Sequence, residues 1–156
     1  MNIGLIPSNQ KTVAETLNRL LADASLLYTK TRKFHWNVTG PNFSELHSLF
    51  QGQYEALAEA ADELAERVRQ LGQEPLGTLQ EFKDKASLKE YPGKQQDSAS
   101  MLEELLSDHE SVIRALRVAI ETCEKAKDAG TANFLTDLMQ SHEKIAWILR
   151  SYIPKK

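Results

Sequence analysis

A chain of 156 residues with 41% hydrophobic and 26% charged side chains has the composition of one globular domain, able to bury about two-thirds of its unfolded surface. A formal net charge of −3 argues against nucleic-acid binding driven by overall charge, and no stretch approaches the ~20 apolar residues of a membrane span. The N-terminus lacks the basic segment of a signal peptide and the single cysteine excludes an intrachain disulfide, so the expected compartment is the cytoplasm.

Residues 1–8 read as a short extended arm. From about 9 to 37, Val13, Leu17, Leu20, Leu21, Leu27 and Phe34 recur at helical spacing and predict a first long helix. Gly40-Pro41 breaks it, because proline has no N–H and drives the preceding residue out of the helical region. Asn42 with Glu45 three residues on has the form of a capping box and opens a second helix over about 43–71. Its stripe is Phe43, Leu46, Phe50, Leu57, Leu64, Val68 and Leu71, and Gly72 is the expected cap. The connection over 72–97 holds Gly72, Pro75, Gly77, Pro92 and Gly93. Within it Thr78 and Glu81 predict a short helix near 79–87 with Leu79 and Phe82 on its buried side.

A third helix is predicted over 98–129 with Met101, Leu102, Leu105, Val112, Leu116, Ile120 and Cys123 inward. A fourth follows over 131–153 with Phe134, Leu138, Ile145, Ile148 and Tyr152 inward. The pattern is all-α: two helical hairpins joined by one long crossover, the ferritin-like form of the four-helix bundle, in a single domain over 1–156.

His35, His47, Asp62 and Glu66 stand out. With His47 at zero on a helical wheel, the apolar stripe centres near about −80°, while Asp62 and Glu66 fall at about +60° and +100°. Ala58 and Ala65, beside Tyr54, lie on that second face, where long polar side chains are expected in a monomer; a second helix packing there explains them. His47 and Asp62 are 15 residues apart, roughly 22 Å along a helix, too far to hold one ion within one subunit. A two-fold dimer brings one chain's carboxylates against the other's histidines. Taken singly, each residue is more often part of a solvated surface, and spacing alone leaves both readings open.

Other residues have plain readings. Cys123 is a buried inert thiol, His109 and His142 are structural or interface histidines, and Lys30, Arg32 and Lys33 are a solvated helix end favoured by the helix dipole. The residues three before the four histidines are Arg32, Ser44, Leu106 and Met139. None is glutamate, so the Glu-x-x-His pattern of a di-iron centre inside one bundle is missing.

The string His35-Trp36-Asn37-Val38-x-Gly40-x-x-Phe43-x-x-x-His47, followed by Asp62-x-x-x-Glu66-Arg67 and Leu71-Gly72, resembles the Dps family, the small dodecameric members of the ferritin superfamily. The resemblance extends through Gly77-Thr78-Leu79 and His142-Glu143-Lys144-x-x-Trp147 and covers nearly the whole chain. It implies that His35 and His47 of one subunit and Asp62 and Glu66 of its mate form a ferroxidase site for iron, with zinc as a possible substitute. It also implies a homo-dodecamer, ferric storage in the cage and hydrogen peroxide as oxidant. Trp36 is then expected to pack near the site, and Asp128 and Asp137 to supply the charge of an iron-entry pore. Where the family usually has Asp or Glu, this chain has Gln51, which implies a weaker second iron position. With no basic residue before Lys11, DNA binding is expected to be weak or absent; a nucleoid-coating cage with a degraded site is the alternative.

Overall fold

The computed structural model describes residues 2–93 and 97–153, among which every regular element is a helix. These are α1 (Pro7–Asn37), α2 (Phe43–Gln70), α3 (Leu79–Lys85), α4 (Ser98–Lys125) and α5 (Ala129–Tyr152). The hairpins α1–α2 and α4–α5 pack together, with α3 in the crossover lying on α1. Residues 94–96 and 154–156, with Met1, lie outside the described residues.

The caps explain the boundaries. Helix α1 begins two residues earlier than the apolar stripe suggests, because Pro7 at the first helical position has its φ pre-set and no N–H to leave unpaired. Helix α2 ends in a Schellman motif: the Gln73 N–H donates to Val68 O (3.2 Å) and the Gly72 N–H to Arg69 O (2.9 Å), with Gly72 at φ 77°. Thr78 and Glu81 form the expected capping box of α3.

Asn42 does not form the expected box. Its side chain makes no capping bond, and the Glu45 carboxylate instead accepts from the Tyr152 hydroxyl, drawing the end of α5 onto the start of α2.

The α4–α5 junction also departs from expectation. Helix α4, expected to reach 129, ends at Lys125, Gly130 lies inside α5, and the left-handed residue is Lys127 at φ 61°. The Lys127 N–H donates to Glu124 O and the Asp128 N–H to Cys123 O, both at 2.9 Å, a second Schellman motif without glycine. A β-carbon in that region costs roughly 1–2 kcal/mol. Lys127→Gly is therefore expected to raise stability by about 1 kcal/mol, read as a shifted denaturation midpoint.

Each long helix turns one stripe inward. Val13, Leu17, Leu27 and Phe34 of α1 meet Phe50, Leu57 and Leu64 of α2, Leu105 and Leu116 of α4, and Leu135 and Leu149 of α5 in one core. Cys123 is fully buried there, and burial pushes its thiol up to about 11, in keeping with an inert side chain.

Three residues expected in the core are outside it, Phe43, Leu79 and the half-buried Ile148. Phe43 is 45% and Leu79 85% exposed. Leu79 opens α3 and borders an apolar groove of about 540 Å³ with Tyr28, Ala58, Ala61, Phe82 and Tyr91.

The basic run at the end of α1 is not a solvated helix end. Lys30 is 4% exposed, with Nζ 2.6 Å from both Glu104 Oε1 and Asp108 Oδ2 on α4. Lys33 donates to the carbonyls of Tyr91 and Gly93 in the crossover. These partners are distant in sequence and leave no local signal.

Candidate metal centre

The break at Val38–Asn42 sets the geometry of the two histidines. Val38 is extended and buried, Gly40 takes φ 110°, and the Phe43 N–H donates back to Gly40 O. This folds the last turn of α1 over the first turns of α2. His35 Nδ1 then donates to His47 O at 2.8 Å, and His47 Nδ1 donates to His35 O at 2.9 Å. The rings stack with centroids 3.7 Å apart and planes 25° from parallel.

This exchange decides the chemistry of both rings. A carbonyl only accepts, so each Nδ1 carries a proton, and in the neutral ring each Nε2 keeps its lone pair. Metal-binding histidines are commonly oriented by donating the other ring N–H to a carbonyl. His35 O lies in the last turn of α1, where the carbonyls have no partner within the helix.

Tyr54 closes one side of the pair, edge-on to His35 at 5.2 Å, and Phe43 flanks His47 at 5.1 Å. His35 is 7% exposed and His47 half-buried.

Asp62 and Glu66 are exposed on α2, and neither has a hydrogen-bond or ion-pair partner among the described residues of its own chain. At about 1.5 Å per residue, His47 and Asp62 stand roughly 22 Å apart along one straight helix. Accordingly, no group of three or more potential ligands forms among the described residues of one chain. Gln51 is exposed and donates from Nε2 to Glu55 Oε1, one turn further along α2.

Trp36 does not pack against the histidines within the chain. It is 64% exposed, with the Arg32 guanidinium 4.9 Å above its ring, and Arg32 donates to the Tyr28 hydroxyl. Asp128 is likewise unavailable to a pore. It is 3% exposed, caps α5 by accepting from the Thr131 N–H, and pairs with Arg67 at 3.0 Å. Asp137 is exposed.

Arg67 is the positioning residue that sequence reading passed over. Its guanidinium reaches Thr131 Oγ1, Asp128 Oδ1 and Gln70 Oε1, tying the carboxylate-bearing end of α2 to the α4–α5 turn. A β-carbon at Gly130 would stand 3.1 Å from that guanidinium, so glycine there permits the close approach.

A ferritin-like domain model matches residues 14–155. The DNA protection during starvation protein of Brevibacillus brevis is 37% identical over 94% of this chain and 97% of its own. The chain belongs to the Dps family of ferritin-like proteins. Among solved Dps structures, that of Thermosynechococcus elongatus superposes with a TM-score of 0.91 at 32% identity, covering 96% of this chain and 94% of that one. The Vibrio cholerae Dps, described as a member of a broad superfamily of ferritin-like diiron-carboxylate proteins, gives 0.93 at 31%, covering 97% and 95%. A low temperature-induced protein of Nostoc, uncharacterised, is 46% identical over 98% of this chain and 86% of its own.

Proposed function

We propose that this Dps-family chain assembles into a closed homo-oligomer of twelve subunits that binds Fe(II), oxidises it and keeps the ferric product inside. The observation that carries the reading is the His35–His47 pair, two rings locked in one tautomer with both Nε2 lone pairs free. The complement is the Asp62–Glu66 pair, exposed and unpartnered on the same helix. Two imidazoles suit a first-row cation, and two carboxylates balance the charge of one Fe(II) and favour Fe(III) over it. Antiparallel pairing of α2 about a two-fold axis supplies the carboxylates from the second copy. The groove between α1, α2 and α3, with Leu79 exposed at its edge, supports packing of an apolar partner surface there.

Hydrogen peroxide is the oxidant of this reading. Two Fe(II) supply two electrons, the O–O bond breaks, and two protons complete two waters. Iron oxidation followed optically should be faster with peroxide than with dioxygen. Light scattering that finds a monomer at micromolar concentration would defeat both the cage and the shared site.

Gln51 sets the site's capacity. The four ligands bring two negative charges, which balance one Fe(II). A second iron adds two positive charges, and the Gln51 amide adds none. Titration with a redox-inert divalent ion should show one tight ion per site, and Gln51→Glu should tighten the second. Two equally tight ions in the native protein, unchanged in the variant, would contradict this.

The name of the Brevibacillus relative favours a second reading, a cage that shields DNA. The net charge of −3 and the lack of a basic residue before Lys11 support only weak binding, lost by about 200 mM salt.

A further inference from the structure

We infer that His109 on α4 and His142 on α5 form an acid-sensitive latch inside the bundle, closed while one proton lies between the two Nδ1 atoms and opened when a further proton enters the pair. The pair lies far in sequence from the candidate metal ligands and plays no part in the iron reading.

The two Nδ1 atoms are 2.9 Å apart, the rings are 5.0 Å apart between centroids, and the residues are 0% and 4% exposed. A nitrogen pair at that distance is a hydrogen bond, so one Nδ1 carries a proton and the other a lone pair. His109 Nε2 is buried with no partner. An unpaired buried N–H costs more than an unpaired lone pair, because the donor forfeits a strong bond to water. The lower-energy arrangement has His109 donating from Nδ1 and His142 accepting, with the remaining His142 proton on Nε2.

A further proton has two places to go. On His142 Nδ1 it sets two N–H groups against each other and breaks the only side-chain hydrogen bond between these rings. On His109 Nε2 it puts a cation where no acceptor reaches. Either way the α4–α5 contact gains a buried charge.

The surrounding helices supply no counterion. On α1, Lys30 is engaged by Glu104 and Asp108 of α4, Asp23 accepts from Ser87 and Leu88, and the Thr31 hydroxyl donates to Leu27 O. On α2 the buried polar residue is Gln53, uncharged, with both amide atoms unpartnered. On α4 and α5, Glu110 pairs with Arg150 and Glu143 with Arg117 at the surface. Burial accordingly pushes His109 well below the ordinary histidine range, helped by His142, and burial takes His142 down to about 4.

A histidine that protonates less readily when folded makes the unfolded chain the better proton acceptor. Stability is then complete above about pH 6.5 and falls as pH drops towards about 4. Asp108 acts oppositely, because burial raises its pKa and folding then favours its protonated form as pH falls.

The test uses the full chain. Each histidine's C2–H exchange, followed by mass spectrometry against pH, reports its own titration. His109 and His142 should both titrate well below 6.5, and either one titrating at or above 6.5 overturns the latch. The unfolding equilibrium constant should rise up to about ten-fold per pH unit for each histidine between about pH 6.5 and about 4. In His109→Leu/His142→Leu that slope should be lost, and an unchanged slope also overturns the latch. If the double variant fails to fold, the exchange measurement on the native chain decides.

Discussion

Mixing equal amounts of subunits carrying His47→Ala with subunits carrying Asp62→Asn and Glu66→Gln is expected to restore about a quarter of the native iron-oxidation rate. Each variant alone is expected to bind iron at least about 100-fold more weakly, since even outer-shell changes cost 10–100-fold. The quarter follows from two-fold symmetry. Random pairing makes half of the dimers mixed, and in a mixed dimer one site receives native histidines and native carboxylates while the other receives both defects. The assay needs subunits mixed from the unfolded state and the initial rate of ferric absorbance. A site built within one chain predicts no recovery at any mixing ratio, so recovery separates a shared site from a local one. The two defects also lie on different parts of α2, so a rate that stays at the level of the single variants cannot be ascribed to one damaged surface.

Lys30→Met is expected to destabilise the fold by about 3–5 kcal/mol at neutral pH, the cost of leaving a buried charge without its partner. The charge left behind is Asp108, 8% exposed and served by Lys30 at 2.6 Å; Glu104 is better solvated. Burial already raises the pKa of Asp108, so acid should relieve part of the loss as the carboxyl takes up a proton. Removing both charges in Lys30→Met/Asp108→Leu should recover most of the stability, because apolar side chains of similar volume replace buried ion pairs at little cost. Chemical denaturation of the three chains checks the ordering. A single variant within 1 kcal/mol of native would mean that water reaches Asp108 and that the interface between α1 and α4 is looser than its burial indicates.

The periodic elements were legible in the sequence because their signals are local. The stripes of α1, α2 and α4, the Gly40-Pro41 break, Gly72 and the Thr78–Glu81 box stand where they were expected. The same holds for the resemblance, carried by contiguous motifs. Helix α5, by contrast, is turned from the face expected for it: it buries Leu135, His142, Ala146 and Leu149 and leaves Phe134, Leu138, Ile145, Ile148 and Tyr152 half-buried. What was not legible depends on partners far along the chain. Lys30 looks like any lysine at a helix end until α4 places two carboxylates beside it. Asp128 looks like a surface acid until Arg67 arrives from 61 residues away. Leu79 has the spacing of a core residue, but none of the described elements of its own chain covers it. His35 and His47 were identified as candidates, whereas the crossed hydrogen bonds that fix their tautomers could be found only once the backbone placed each ring under the other's carbonyl.

The Asp23 carboxylate, holding Ser87 and Leu88 through their N–H groups and the Ser87 hydroxyl, has a bearing on how the chain finds its shape. Between Gln70 and Ser98 the connection runs over residues 71–97, which is 97 − 70 = 27 residues. Once the clasp has formed, the stretch of chain between it and α4 is 89–97, or 97 − 88 = 9 residues. Shortening a flexible loop three-fold lowers its closure entropy by about 1 kcal/mol. The first hairpin thus carries with it the point from which the second is launched, and the search of α4 and α5 for their seat begins close to its end.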